Sequence, residues 1–384
     1  MVDITLFGAT GFTGGLTADY LAVHLPADAS WAIAGRSRSK LEAIAERIKA
    51  TGRSVPELVV ANGEDAESMA QMAQNARVLI TTVGPYLRYG EAAVKAAAEA
   101  GIAYVDLCGE PQFVDLMWLR YQAIATETGA KLVHACGFDS IPYDLGVLAT
   151  VNTLPDDVPI SVKGYIRAKA SFSGGTFASA VNQFSQFRSA KAAAKQRRAT
   201  EGRPTGRRVR GGGGFGRAAA PVEGFGVPLP TIDPQIVLRS ARALEGYGPQ
   251  FTYEHHAHFK TRHMMALAAP VVGTVAVASQ IPVLKSLLLK VKPAGEGPSE
   301  TERSNSWFKL TLLGEGGGQR VVTTVSGGDP GYTETAKMLA ESAMCLAFDE
   351  LPDVSGQTTT AVAMGTSLID RLQRAGIAFD TQTI

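Results

Sequence analysis

Val2-Asp-Ile-Thr-Leu-Phe7 runs directly into Gly8-Ala-Thr-Gly11-Phe-Thr-Gly14, and a helix-compatible run, 15–25, follows. The first six residues are apolar and partly β-branched, as a strand buried on both faces should be. Strand, glycine-rich turn and helix in that order make the glycine pattern a dinucleotide fingerprint rather than a chance triplet. The glycines permit a tight turn and a close approach of backbone to pyrophosphate. The helix then offers free N–H groups and a partial positive charge to that phosphate. Gly8, Thr10, Gly11, Phe12, Thr13 and Gly14 are therefore the expected cradle. The competing reading is a glycine turn that serves only close helix–strand packing.

Working outward, a second strand at 31–34 ends in Gly35-Arg36-Ser37-Arg38. An NAD site usually carries an acid here to hold the ribose hydroxyls. Arg36 and Ser37 stand in its place, which favours a 2′-phosphate and hence NADP(H); the alternative for Arg36 is stacking on adenine. A short strand at 58–61 leads to Asn62, placed to flank the adenine. A strand at 77–83 ends at Val83-Gly84-Pro85-Tyr86. An Ala-rich helix at 92–100 and strands at 102–107 and 131–135 continue the rhythm. Alternating strands and helices predict a parallel, doubly wound (Rossmann) sheet with ligands beyond the carboxyl ends of its strands. Besides the residues already named, Cys108, Gly109, Glu110, Gly137, Phe138, Asp139 and Ser140 fall at such ends.

After a helix at 143–151 the pattern changes. Residues 161–170, 236–240, 250–260, 306–313 and 319–326 read as alternating strands, which predicts a mostly antiparallel sheet. A helix at 333–348 follows. The predicted class is α/β: a Rossmann domain over 1–150, completed by 330–384, and a second α+β domain over 151–329.

The chain has 384 residues, 45% hydrophobic and 19% charged, so it is neither a disordered chain nor an acidic solvating one. Three cysteines and an N-terminus without a basic or apolar leader give a reduced, cytoplasmic setting as the expectation. The net charge of +1 hides an asymmetry. Residues 188–217 hold ten Lys/Arg and one acid, a local +9 against −8 elsewhere, and include Gly211–Gly214. Such a segment is either a solvated helix end with a mobile glycine loop, or a docking surface for an acidic carrier protein, a coenzyme A phosphate or an anionic membrane. It lacks the interleaved aromatics or reading helix of a nucleic-acid site. Residues 264–284 form a 21-residue run without a charge; two prolines and many alanines favour an acyl-lining segment or peripheral lipid contact over a membrane span.

Three constellations are set aside. Tyr165 and Lys169 match the Tyr-x-x-x-Lys spacing of short-chain dehydrogenases, but they lie in a predicted strand, where four residues separate a pair by ~13 Å. His255, His256, His258 and His263 cluster, yet polar strand residues explain them more simply than a metal, and no metal site is predicted. Gly-x-Ser-x-Gly is absent from the sequence, which removes support for a hydrolase.

The motifs Gly8-Ala-Thr-Gly-Phe-Thr-Gly14, Ala34-Gly-Arg-Ser37, Thr82-Val-Gly-Pro-Tyr86 and Cys136-Gly-Phe-Asp-Ser-Ile-Pro142 together resemble those of the saccharopine dehydrogenase-like oxidoreductases. Within that family the sequence is most similar to the mycobacterial trans-acting enoyl reductases, which serve polyketide synthases. The resemblance implies an NADP-type Rossmann domain with an inserted α/β domain. It implies NADPH-dependent reduction of an α,β-unsaturated acyl thioester, carried on a carrier protein or coenzyme A, in lipid or polyketide synthesis. Such a reaction needs a proton donor at the enolate. Tyr86, after the Gly-Pro turn, is the first candidate; Tyr143 and Asp139 are weaker ones, and Asp139 has a competing role as cap of the helix near Pro142. Two other activities stay open: an amino-acid or imine dehydrogenase of the saccharopine type, and a non-catalytic NADP-binding, lipid-associated scaffold.

Overall fold

The structure, a computed structural model, describes residues 1–170, 187–202, 205–266 and 297–384, with isolated positions between 274 and 286. Most of the uncharged run 264–284 lies outside the described residues, so its acyl-lining and lipid-contact readings do too. The chain forms two compact units. One comprises Met1–Ile141 and Tyr332–Ala375, the other Pro142–Gly331 and Gly376–Ile384.

The first unit begins β1 (Val2–Phe7), α1 (Phe12–His24), β2 (Trp31–Gly35), α2 (Arg38–Lys49), β3 (Glu57–Val60), α3 (Ala66–Gln74) and β4 (Ala76–Thr81). It continues α4 (Tyr86–Tyr89), α5 (Glu91–Ala100), β5 (Ala103–Asp106), α6 (Pro111–Thr128) and β6 (Lys131–Val133). Ile4 and Leu6 are fully buried, as are Ile33, Leu79, Ile80 and Val105. Strands covered on both faces need such continuous apolar runs, and they pair in parallel: Ile4 lies opposite Trp31 on one side and Val78 on the other. From β1 the chain winds outward through β2 to β3, then returns to place β4 on the other side. The direction of winding thus reverses between β1 and β4, which makes that point the expected ligand crevice.

The second unit holds most of α7 (Ile141–Val151), then β7 (Ile160–Lys169), α8 (Phe187–Glu201), β8 (Arg208–Gly212), β9 (Gly216–Arg217) and β10 (Phe225–Pro228). It goes on through α9 (Asp233–Ala243), β11 (Gln250–Phe259), α10 (Glu300–Ser304), β12 (Trp307–Gly316) and β13 (Gln319–Gly327). The chain then re-enters the first unit with α11 (Thr333–Phe348), β14 (Gly356–Thr358), α12 (Thr360–Ala363) and α13 (Gly365–Arg374). A last strand, β15 (Ala378–Thr383), pairs antiparallel with β13 in the second unit. The return segment adds β14 in parallel to the free edge of β6, giving the seven-stranded order β14-β6-β5-β4-β1-β2-β3. Arg371 of α13 fixes it with hydrogen bonds to Asp349 at 2.6 and 2.7 Å and to Glu341 at 3.2 Å. Tyr20 of α1 donates to the same Glu341 at 2.7 Å.

The second sheet runs β15-β13-β12-β7-β11-β10-β9, with β8 beside the first half of β11. It is mixed: β11 pairs in parallel with β7 and β8, and the other pairings are antiparallel. Gly317 and Gly318, with φ of 58° and 78°, form the two-residue turn joining β12 to β13, a geometry that glycine adopts without strain. Gly146 lets α7 lie close on this sheet, since a Cβ there would stand 2.6 Å from Leu312 and 2.9 Å from Val325.

Two expectations need correcting. Residues 236–240 are helical, inside α9. The buried apolar and small residues of this helix, Ile236, Val237, Ser240 and Ala241, follow helical spacing, and Pro234 occupies the first turn, where its missing N–H costs nothing. The glycine run is not wholly a loop: Gly211 and Gly212 belong to β8, opposite Tyr253 and Glu254. Gly213, at φ 123°, closes against His256, where a Cβ would stand 3.1 Å from Nε2. Small residues are needed here because the imidazole fills the space.

Candidate functional site

β1 delivers Gly8 at a φ of 96°, and a Cβ there would meet Thr82 Oγ1 at 2.7 Å and Val83 Cγ2 at 2.8 Å. Gly11 donates its N–H to the Gly8 carbonyl at 3.0 Å and closes the turn. Gly14 packs so tightly that its Cβ would lie 2.1 Å from that same carbonyl oxygen. The turn therefore brings together the ends of β1 and β4. Thr10 and Gly11 are exposed and Thr13 is half-buried, its carbonyl accepting from Thr17. Phe12 stands edge-on to Tyr332 with ring centroids 5.2 Å apart. α1 starts at Gly11 with no side-chain cap and no acid in its first turn. Its leading dipole is left for an anion.

At the neighbouring strand ends, Arg36 follows β2, exposed, with no hydrogen bond or ion pair among the described residues. Ser37 caps α2, accepting from the Lys40 N–H at 3.5 Å. Asn62 follows β3; it is exposed and its Oδ1 accepts from the Glu64 N–H at 3.2 Å. Val83 is half-buried, while Gly84 and Pro85 beyond β4 are exposed. The residues fit NADP(H): a glycine cradle in which a Cβ at Gly8 or Gly14 would clash, an uncapped helix start, and a cation, unpaired among the described residues, where a ribose-binding acid would otherwise stand.

The Tyr86 hydroxyl is engaged on both sides. It donates to the Thr81 carbonyl at 3.1 Å and accepts from the Leu107 N–H at 3.0 Å. The ring is buried, and that burial, with Asp106 nearby, pushes the phenol well above its usual range. Tyr86 is a bolt between the ends of β4 and β5. Tyr143 lies in the second unit, buried, with its ring edge-on to His255 at 4.8 Å.

Sequence reasoning missed Asp106. Fully buried at the end of β5, it accepts from the Cys108 and Ala135 N–H groups, both at 2.9 Å, and from the Tyr104 hydroxyl at 2.9 Å. His134 Nδ1 lies 2.6 Å from it. The signal was present, since an acid inside an apolar strand must be paired. Glu110 likewise receives the Tyr86 and Leu87 N–H groups at 2.8 and 3.1 Å, and its burial raises its carboxyl pKa. Cys108 is buried, which pushes its thiol up and leaves it inert.

These contacts hold the loops carrying the remaining candidates. Ala135 has a φ of 61° and Ser140 one of 133°, both rare for residues with a Cβ. Gly137 packs on Leu107 and Thr335, and Phe138 donates its N–H to Thr335 at 3.0 Å. Between them Asp139 is exposed and has no hydrogen bond or ion pair among the described residues, so it does not cap α7. Its Oδ2 lies 3.1 Å from where a Cβ on Gly109 would stand. Surrounding protein displaces bulk water and raises its carboxyl above the usual aspartate range, though the side chain keeps solvent access.

Comparison with known proteins agrees with this geometry. Residues 4–133 match the family model described as the saccharopine dehydrogenase NADP binding domain. The chain is 34% identical over 414 residues to the trans-acting enoyl reductase of Mycobacterium tuberculosis, covering 99% of this chain and 97% of that one. It is 29% identical over 421 residues to a saccharopine dehydrogenase-like oxidoreductase of Bos taurus, with 98% and 96% covered. Among solved structures it resembles the apo saccharopine dehydrogenase (L-Glu forming) of Saccharomyces cerevisiae over the whole of both chains, at a TM-score of 0.57 and 10% identity. That likeness is one of fold.

Proposed function

We propose a reaction for this chain from one premise: it belongs to the saccharopine dehydrogenase-like oxidoreductases and is an NADP-dependent enzyme. The reaction is reduction of an α,β-unsaturated acyl thioester to the saturated thioester, with the acyl group on a carrier protein or coenzyme A, as a step of lipid or polyketide synthesis. The observation that carries this reading is the near-complete mutual coverage with an enoyl reductase. A likeness confined to the cofactor-binding domain would leave the substrate side undefined.

Gly8, Gly11 and Gly14 would seat the pyrophosphate of NADP(H), Arg36 its 2′-phosphate, and Val83–Pro85 the approach to its nicotinamide end. When bound, the cofactor supplies a hydride, which the β-carbon of the enoyl group accepts. The α-carbon must then gain a proton. Asp139 is the accessible acid at the strand ends, and its raised carboxyl pKa keeps it protonated over a wider pH range than an ordinary aspartate. The Asp106 and Glu110 hydrogen bonds keep the adjoining loops from moving, so catalysis draws on positioning as much as on acidity.

The test is NADPH consumption with 2-enoyl thioesters, the product identified by mass spectrometry, beside saccharopine-pathway substrates. The saturated thioester is the expected product. Turnover of saccharopine-pathway substrates alone would replace this reading with the amino-acid dehydrogenase one.

A further inference from the structure

Where β9, β10 and β11 come together, the second unit presents an aromatic side chain to solvent. Phe215 is 75% exposed, outside the flanking strands, with Gly214 and Gly216 as neighbours and so no adjacent side chain to cover it. Around it the surface is cationic. Arg217 of β9 lies opposite Phe225 of β10, which lies opposite Phe259 near the end of β11. Arg262 sets its guanidinium 5.4 Å from the Phe225 ring centroid. Arg217, Lys260 and Arg262 are exposed and form no ion pair among the described residues. Met264 is 52% exposed. The β9–β10 connection contributes one acid, Glu223.

A solvated face accounts for the cations but not for Phe215. Aromatic anchors in protein–protein interfaces sit within an apolar surround that excludes water. This ring instead has glycines beside it and cations around it. That is the composition of a contact with a bilayer interface, where rings settle at headgroup depth and cations meet lipid phosphates. The sequence beyond this point carries no charge from residue 264 to 284.

We propose that this end of the second unit docks on an anionic lipid bilayer, with Phe215 entering the headgroup region and Arg217, Lys260 and Arg262 facing lipid phosphates. The contact is independent of the proposed reaction. It would hold the enzyme at a membrane surface, where greasy acyl groups concentrate.

Co-sedimentation of the full chain with vesicles tests it, using phosphatidylcholine alone against an equal mixture with phosphatidylglycerol. Binding is expected to the mixed vesicles and to weaken with salt. Phe215→Ala should lower the partition coefficient about tenfold. Arg217→Ala and Arg262→Ala should each lower it about fivefold and flatten the salt dependence. Phe215→Trp should restore binding and shift its emission to the blue on vesicles. Unchanged NADPH affinity in each variant shows that the fold survives. Equal binding to both vesicle types, or a Phe215→Ala variant that binds as well as the parent, overturns the proposal. So does a loss seen only with an acidic carrier protein while vesicle binding stays intact.

Discussion

A Cβ on Gly14 would stand 2.1 Å from the carbonyl oxygen of Gly8. No side-chain rotation relieves such a contact, because the obstructing atom is backbone. Gly14→Ala must push α1 away from β1, and is expected to cost at least about 3 kcal/mol and to abolish tight NADPH binding. Gly15 is the control: its Cβ would be 3.9 Å from the nearest carbonyl oxygen, inside α1. Gly15→Ala should be neutral or stabilising by up to ~1 kcal/mol through the unfolded chain. Thermal denaturation and NADPH titration of the two variants decide the point.

Arg36 makes no hydrogen bond or ion pair among the described residues, so its removal strands no buried partner. The variant should therefore report on the ligand alone. Arg36→Ala is expected to weaken NADPH at least about tenfold while leaving NADH nearly unchanged. Arg36→Asp should reverse the preference by offering a carboxylate to the ribose hydroxyls. Equal losses for both cofactors, measured by fluorescence titration, would refute the 2′-phosphate assignment.

The dinucleotide turn was legible because its demands are local: a φ of 96° at Gly8 and a neighbour six residues away at Gly14. The parallel βα rhythm was legible for the same reason, each strand carrying its own apolar run. Contacts made across the fold were not. The Tyr86 hydroxyl finds Leu107 just past the end of β5, and Asp106 finds Ala135 just past the end of β6. Nothing near Tyr86 in sequence says whether its hydroxyl is free or engaged. Residues 236–240 misled because that window excludes Pro234, which marks the helix start. The glycines at 211–214 looked like a mobile loop because what engages them is distant in sequence: Gly211 and Gly212 pair with Tyr253 and Glu254, and Gly213 closes on the His256 ring 43 residues on.

Tyr86 and Asp139 should separate cleanly in kinetics. Tyr86→Phe leaves the Leu107 N–H without its acceptor, at a cost of about 1–3 kcal/mol in stability, but the folded variant should keep its kcat. Asp139→Asn should fold normally, being exposed, and lose about 10²–10⁴ in turnover. The sign of the pH dependence follows from the acid's role. A protonated donor is required, so kcat of the parent should fall as pH rises through the raised Asp139 pKa, and that limb should vanish in Asp139→Asn. A Tyr86→Phe variant without turnover but with intact stability would return the donor role to Tyr86.

His255 gives the second unit an acid sensitivity. Burial first, and its neighbour His256 second, lower its pKa to about 3. Tyr253 holds its Nδ1 at 3.2 Å, and the Tyr143 ring closes one side. Asp233, 3.5 Å from Nε2, favours the charged form but does not offset the burial. In the folded state the ring stays neutral, while in the unfolded chain it protonates near its usual value. The unfolded state thus binds the extra proton as pH falls below about 6.5, and stability drops until the folded ring also protonates near pH 3. By pH 4.5 the loss from this residue is roughly 2–3 kcal/mol. His255→Gln should be less stable than the parent at neutral pH, where Tyr253 loses its ring partner, yet should lose about one proton's worth of pH dependence below 6.5. Urea denaturation of both proteins across that range tests this. Parallel pH curves would show that the buried imidazole is not the group that titrates.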